Sequence, residues 1–200
     1  MKIKKFIVLV SVLLSAFVPI FFTITTKEVW AATSPTLSAS STYSILGASE
    51  VTCTGATTIT GNVGVAAGTS ITGFPSPCSV SPGTTQSNTQ SAIDAQADNL
   101  TTFGALNQGC DYSYPSGQDL TLISPLDPGV YCSAGSFLLT GNLTLNGSGV
   151  FIFKTVSTLI TSPGSSVTGS DSCNVWWRVG SSATLDTQLR LLEIFLLLRP

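Results

Sequence analysis

The residues of this chain that could do covalent or acid–base chemistry are few, and their spacing argues against each use. A serine nucleophile needs a general base, and the 200 residues include no histidine, which also removes the commonest metal ligand. A Ser–Lys dyad would rest on Lys154, the single lysine between Ala32 and Gln188. Asp111, Asp119 and Asp127 could supply the paired carboxylates of a glycosidase or lyase. They stand among the turn residues of a Tyr-, Pro- and Gly-rich stretch, where aspartate is expected to bond the backbone. The five cysteines contain no C-x-x-C pair, and zinc needs closer ligands or histidine. In an exported chain they favour disulfides. Cys110 with Cys132 is the first choice and Cys53 with Cys78 the second, leaving Cys173 over, among fifteen ways of choosing two bridges. The chain is therefore read as non-catalytic, without cofactor or metal.

What repeats instead is hydroxyl chemistry. Thr58-Ile59-Thr60-Gly61 and Ser70-Ile71-Thr72-Gly73 share the pattern hydroxyl, apolar, Thr, Gly. It returns as Ser166-Val167-Thr168-Gly169 and, without its Gly, as Ser182-Ala183-Thr184-Leu185. On a strand, alternate side chains point to opposite faces, so each copy buries its middle residue and presents two hydroxyls. Strands this short need neighbours, and repetition across Gly-rich turns predicts stacked coils. The irregular spacing excludes a strict-period array and leaves open which copies share a face.

Composition narrows the partners. Hydrophobic residues make up 43 % of the chain and charged residues only 9 %, against about 25 % in an ordinary domain. Between Ala32 and Gln188 there are two basic and eight acidic residues, a net charge of −6, which disfavours nucleic acid and anionic lipid.

In chain order, Lys2, Lys4 and Lys5 followed by the apolar run Phe6 to Ile24 and by Val29-Trp30-Ala31 have the layout of a secretory signal cleaved after Ala31, with a retained anchor as the alternative. Residues 32–42 read as a linker. Around 89–107, Ile93, Ala97, Leu100 and Phe103 recur at helical spacing; Ser87-Asn88-Thr89-Gln90 fits a capping box and Gly109 a stop. Strands are expected at Leu120–Ile123, Gly129–Cys132, Phe137–Leu145, Val150–Lys154, Thr158–Thr161, Val167–Thr168 and Val175–Val179, with turn chemistry between them. Trp176 and Trp177, adjacent on one strand, are expected in the core, although one of them could serve as a stacking platform for a glycan. Asn99, Asn142 and Asn146 begin glycosylation acceptor triplets.

Read together, Leu46-Gly47-Ala48, Thr54-Gly55-Ala56-Thr57 through Val65, Gly68 through Pro75, Pro128 through Cys132, Leu139 through Leu145, Val150 through Phe153 and Cys173 through Leu185 resemble the microbial ice-binding protein family, over roughly 43–188. The resemblance implies a discontinuous right-handed β-solenoid of triangular section, one long helix along its side, and a first coil packed against the last in sequence. It implies secretion and binding of an ice crystal surface through a flat, charge-poor face; some members sit in adhesins, so a cell-surface or glycan partner is the alternative. Hydroxyls two residues apart on a strand lie about 6.6–6.8 Å apart and neighbouring strands about 4.8 Å, spacings at which a flat array can order water in a lattice close to ice. The expected ice-binding residues are Thr54, Thr57, Thr58, Thr60, Ser70, Thr72, Ser166, Thr168, Ser182 and Thr184. In the family such faces often carry Thr-(Ala/Gly)-x-(Thr/Asn), which here only Thr54-Gly55-Ala56-Thr57 matches cleanly.

Residues 189–200 break the pattern: Leu189 to Pro200 has no Ser, Thr, Gly or Asn and reads as a short apolar helix. A permitted codon string for it, shifted by one added base, yields Thr-Ser-Phe-Ile-Gly-Asn-Ile-Phe-Ala-Leu-Thr-Ser, which is similar to the family's next strand. A frameshift that removes the final coils is therefore expected, leaving a product of poor solubility or activity that restoring the frame would rescue.

Overall fold

The computed structural model describes residues 31–186 and 195–198; the expected signal sequence and most of the expected tail lie outside them. Each short segment pairs with its counterpart one coil later, and every pairing is parallel. The first coil is β1 (Tyr43–Gly47), β2 (Glu50–Thr52) and β3 (Thr57–Ile59), and the second is β4 (Asn62–Val65), β5 (Ser70–Thr72) and β6 (Cys78–Val80). β7 (Thr85–Ser87) opens a third, which the helix α1 (Gln90–Ala105) interrupts. Coiling resumes with β8 (Tyr112–Tyr114) and β9 (Gln118–Asp119). Next come β10 (Gly129–Ser133), β11 (Phe137–Leu139) and β12 (Asn142–Thr144), then β13 (Phe151–Thr155), β14 (Leu159–Thr161) and β15 (Ser166–Thr168). β16 (Val175–Val179), β17 (Ala183–Thr184) and β18 (Phe195–Leu198) complete the described strands.

Three strips follow. First strands form the sheets β1–β4–β7 and β8–β10–β13–β16–β18; second strands form β2–β5 and β9–β11–β14–β17; third strands form β3–β6 and β12–β15. This is the expected right-handed β-solenoid with a flanking helix. Among the described residues β1 pairs with β4 alone and β18 with β16 alone, so no strand pairing joins the first coil to the last. Phe195–Leu198 is a strand rather than part of a helix; a short apolar run carries no period that separates the two.

Inward residues fill the coils. Tyr131, Phe153 and Trp177 occupy one register rank on successive first strands, and Phe137, Leu139, Leu143, Leu159 and Val167 close round them, all buried. The Gly of the repeated phrase has a steric cause. Gly73 has φ +83°, and a Cβ there would sit 2.0 Å from the Cys53 carbonyl oxygen of the coil before; Gly169 has φ +96° and would meet the Leu145 carbonyl at 2.5 Å. Both need a left-handed turn pressed against backbone, which only glycine tolerates.

Sequence periodicity placed the helix but turned it the wrong way. Thr89, not Ser87, caps it, its hydroxyl accepting from the Ala92 N–H at 3.3 Å. Ile93 and Leu100 are 41 % and 53 % exposed and Ala97 is exposed, while Ala92, Ala95, Thr102, Phe103 and Leu106 are buried. The inner face uses small and polar residues because it lies against strands and also receives residues 32–42. That segment is docked: the Thr102 hydroxyl donates to the Thr36 carbonyl at 2.9 Å, the Ala39 N–H donates to Asp98 at 2.7 Å, and Gln108 bonds both the N–H and the carbonyl of Thr33. Phe103 and Leu106 pack on Val130, Ile152 and Trp176. In the last turn of the helix, where carbonyls lack partners, Arg178 donates to the Phe103 carbonyl with its guanidinium 4.0 Å over the Phe103 ring, and just beyond the turn Lys154 donates to the Gln108 carbonyl.

Two further expectations change. Leu120–Ile123 is a 3-10 turn, capped by Asp119 accepting from the Thr121 N–H at 2.9 Å. Phe137–Leu145 divides into β11 and β12 at a corner near Gly141. Both expected disulfides form, Cys53–Cys78 and Cys110–Cys132, and Cys173 is free and exposed. The second closes a separation of 22 residues, for which chain entropy alone gives about 3 kcal/mol. The double variant Cys110→Ser, Cys132→Ser is expected to lose about that much in a urea titration; an unmoved midpoint would count against the pairing.

Candidate functional site

First strands are covered by the helix, so a flat surface for a partner must come from the second or third strands. On β9–β11–β14–β17 the register aligns Asp119, Leu138, Ile160 and Thr184 in one outward rank. Ile160 is 42 % exposed, Leu138 is half-buried and Thr184 is exposed, whereas their neighbours Phe137, Leu139 and Leu159 point into the core. Hydroxyls flank this rank on both sides of β11 and β14. Ser136 and Thr158 share a 2.6 Å hydrogen bond, continued by exposed Ser182, and Thr140 and Ser162 lie on the other side. The centre of the sheet is thus an apolar pair, Leu138 and Ile160, between hydroxyl rows.

Asp119 bounds it at the β9 edge. Burial pushes its carboxyl up, but hydrogen bonds from the Thr140 hydroxyl and from Thr121 outweigh that and hold it below its ordinary value. A depressed native pKa contributes stability that is present above the unfolded-state pKa and is lost as pH falls through the native one. Asp119→Asn is accordingly expected to flatten the dependence of unfolding free energy on pH in the acid range; identical slopes in the two proteins would contradict this.

The β2–β5 pair is different. Its outward groups are Glu50 opposite Ser70 and Thr52 opposite Thr72, and Glu50 accepts from Thr52 at 3.0 Å and from Ser70 at 3.2 Å. The third strands carry only uncharged groups outward, and these are bonded to each other. Thr58 and Ser79 lie 3.4 Å apart, and the Asn142 amide oxygen accepts from Ser166 at 2.8 Å and Thr168 at 3.2 Å.

The expected site residues therefore do not form one array. Ser70, Thr72 and Thr184 are on second strands, with Ser182 just before β17; Thr57, Thr58, Ser166 and Thr168 are on third strands, with Thr60 just after β3 and Thr54 in the corner between β2 and β3. Copies of the repeated phrase alternate between the two strips, and Thr58 stacks on Ser79 rather than on Ser70. Counting hydroxyls missed Leu138 and Ile160. The apolar doublets Leu138-Leu139 and Leu159-Ile160 were the available signal, since one member of each must face outward on a strand.

The other candidate chemistry is absorbed by structure. Asp111 accepts from the Val130 N–H at 2.8 Å and Asp127 from the Asn146 amide at 3.3 Å. Among the described residues no three of His, Cys, Asp and Glu gather. Trp176 and Trp177 are both buried; the Trp176 indole donates to Ser34 at 3.0 Å and Trp177 stacks on Phe153, so neither offers a surface platform.

Comparison with known proteins agrees with this geometry. A family model described as ice-binding-like matches residues 45–195. An ice-binding protein of Nostoc sp. (strain HG1) is 41 % identical over 166 residues, 80 % of this chain; the chain spans 61 % of that relative's length. Among solved structures, an ice-binding protein from an Antarctic biological consortium superposes with TM-score 0.71 at 31 % identity, covering 84 % of this chain and 79 % of its own. One from the ascomycete Antarctomyces psychrotrophicus gives 0.69 at 28 % identity, covering 83 % and 94 %. Parallel coils, a flanking helix and these matches together establish that the chain belongs to the ice-binding-like protein family.

Proposed function

We propose that this protein is exported and binds the surface of ice crystals, without catalysis or cofactor, through the outward face of β9–β11–β14–β17. The observation that carries the proposal is that this widest uncovered sheet has no charge on β11 or β14 and sets exposed Ile160 and half-buried Leu138 between hydroxyl rows. Strand geometry fixes those groups on a flat grid of about 4.8 by 6.6–6.8 Å. Methyl groups on such a grid cage water while the hydroxyls anchor it, so an ordered layer can merge with a growing crystal. The third-strand hydroxyls satisfy one another and cover fewer paired strands, which favours the second strip. Export is supported by the layout of Lys2 to Ala31 and by two disulfides, which persist in oxidising compartments. The three relatives and the family description above name ice as what such proteins bind.

The test is ice recrystallisation. Micromolar amounts of the purified, cooperatively melting protein should hold grain size in a sucrose–ice suspension and facet single crystals. Grain growth equal to that in buffer, with round crystals, would refute the proposal.

A further inference from the structure

We infer that Glu50 keeps the β2–β5 patch, a sheet of its own, from engaging ice, so that this single side chain decides whether the patch adds to the ice-binding surface. The inference rests on the function proposed above and concerns its extent. On β2 and β5 the outward positions form a two-by-two array, Glu50 and Ser70 in one rank and Thr52 and Thr72 in the next. Three of the four are hydroxyls, as an ice-matching grid requires. The fourth is an exposed carboxylate.

Its effect reaches the whole array. Thr72 donates to Thr52 at 3.2 Å, Thr52 donates to Glu50 at 3.0 Å, and Ser70 donates to Glu50 at 3.2 Å. A Ser or Thr hydroxyl has one proton to donate, so all three protons run toward the carboxylate. Water above the patch meets acceptors and a negative charge, and must turn its hydrogens inward. In ice each oxygen both donates and accepts two hydrogen bonds, so a surface of acceptors cannot continue that lattice. The carboxylate also demands hydration that a crystal cannot supply, and stripping a charge of water is costly. Among the described residues no cation is placed to offset it: the two basic residues between Ala32 and Gln188, Lys154 and Arg178, are both engaged at the end of the helix.

The acidic groups at the β9–β11–β14–β17 sheet are placed differently. Asp119 is at the β9 edge with its oxygens taken by Thr140 and Thr121, and Asp186 follows β17, its N–H donating to the Thr161 hydroxyl at 2.9 Å. Glu50 stands within its array rather than beyond it.

Two variants separate charge from shape. Glu50→Gln keeps an acceptor for Ser70 and Thr52 but removes the charge. Glu50→Thr removes the charge and completes the array with a fourth hydroxyl and methyl. Asp94→Asn, an equal change of charge on the exposed side of the helix, is the control. The readout is the protein concentration that halves the ice recrystallisation rate. For Glu50→Thr this concentration should fall by roughly an order of magnitude, since relieving the desolvation of one carboxylate exceeds the free energy of a tenfold change. Glu50→Gln should lie between it and wild type, and Asp94→Asn should match wild type. If wild type inhibits and both Glu50 variants equal it, or if Asp94→Asn gains as much, the inference is overturned while the ice-binding function stands. If none of the four proteins inhibits, the function itself fails and the inference with it.

Discussion

Phe153→Ala is expected to lower stability by about 3–5 kcal/mol, a third or more of the total for a domain with the usual 5–15 kcal/mol. Phe153 is fully buried at the middle of the longest sheet. Its ring stacks on Trp177 at 4.3 Å and on Tyr131 at 5.4 Å, and meets Phe137 edge-on at 6.4 Å. Each ring of the column belongs to a different coil, so the column couples β10, β13 and β16 along the solenoid axis. Removing the central ring leaves a cavity its neighbours cannot close, because their backbones are held in register by ladders on both sides. Leu122→Ala, at a side chain 80 % exposed, makes the contrast and should stay within about 0.5 kcal/mol. Urea midpoints of the three proteins check both statements. A Phe153→Ala midpoint close to wild type would mean that the aromatic column does not carry the core.

Much of this architecture is legible in the chain. Apolar–polar alternation with Gly and Pro turns locates β10, β13, β14, β15 and β16 to within a residue or two, because each strand buries one face and its turn residues have steric work to do. Both expected cysteine pairs form, and in the structure each bridge joins neighbouring coils about one turn of chain apart, 25 and 22 residues. Legibility stops where two partners compete for one element. The helix has strands beneath it and residues 32–42 beside it, so its inner stripe reads Ala92, Ala95, Thr102, Phe103 and Leu106, and of the four residues that set the apparent period Phe103 is buried while Ile93, Ala97 and Leu100 are exposed. Strand alternation also says that Thr58 and Ser70 face outward without saying from which side of the triangle. That assignment depends on turn lengths, and only the pairings Thr58 with Ser79 and Ser70 with Glu50 resolve it. The neighbourhood of Glu50 was invisible for the same reason, since Ser70 lies 20 residues further along the chain.

The most direct test of the proposed face is Ile160→Lys, the second of the large effects. Ile160 is the exposed centre of the β9–β11–β14–β17 strip, so lysine can point into solvent and unfolding free energy should change by no more than about 0.5 kcal/mol. On a face meant to carry ordered water, the ammonium and its hydration shell should abolish attachment. Thr168→Lys puts the same charge on an exposed residue of the third strands and should leave attachment intact. The measurement is the fraction of each folded protein carried into a slowly grown ice hemisphere. Wild type and Thr168→Lys are predicted to concentrate in the ice and Ile160→Lys to remain in the liquid. Ile160→Lys entering the ice as wild type does, or Thr168→Lys alone being lost from it, would contradict the assignment.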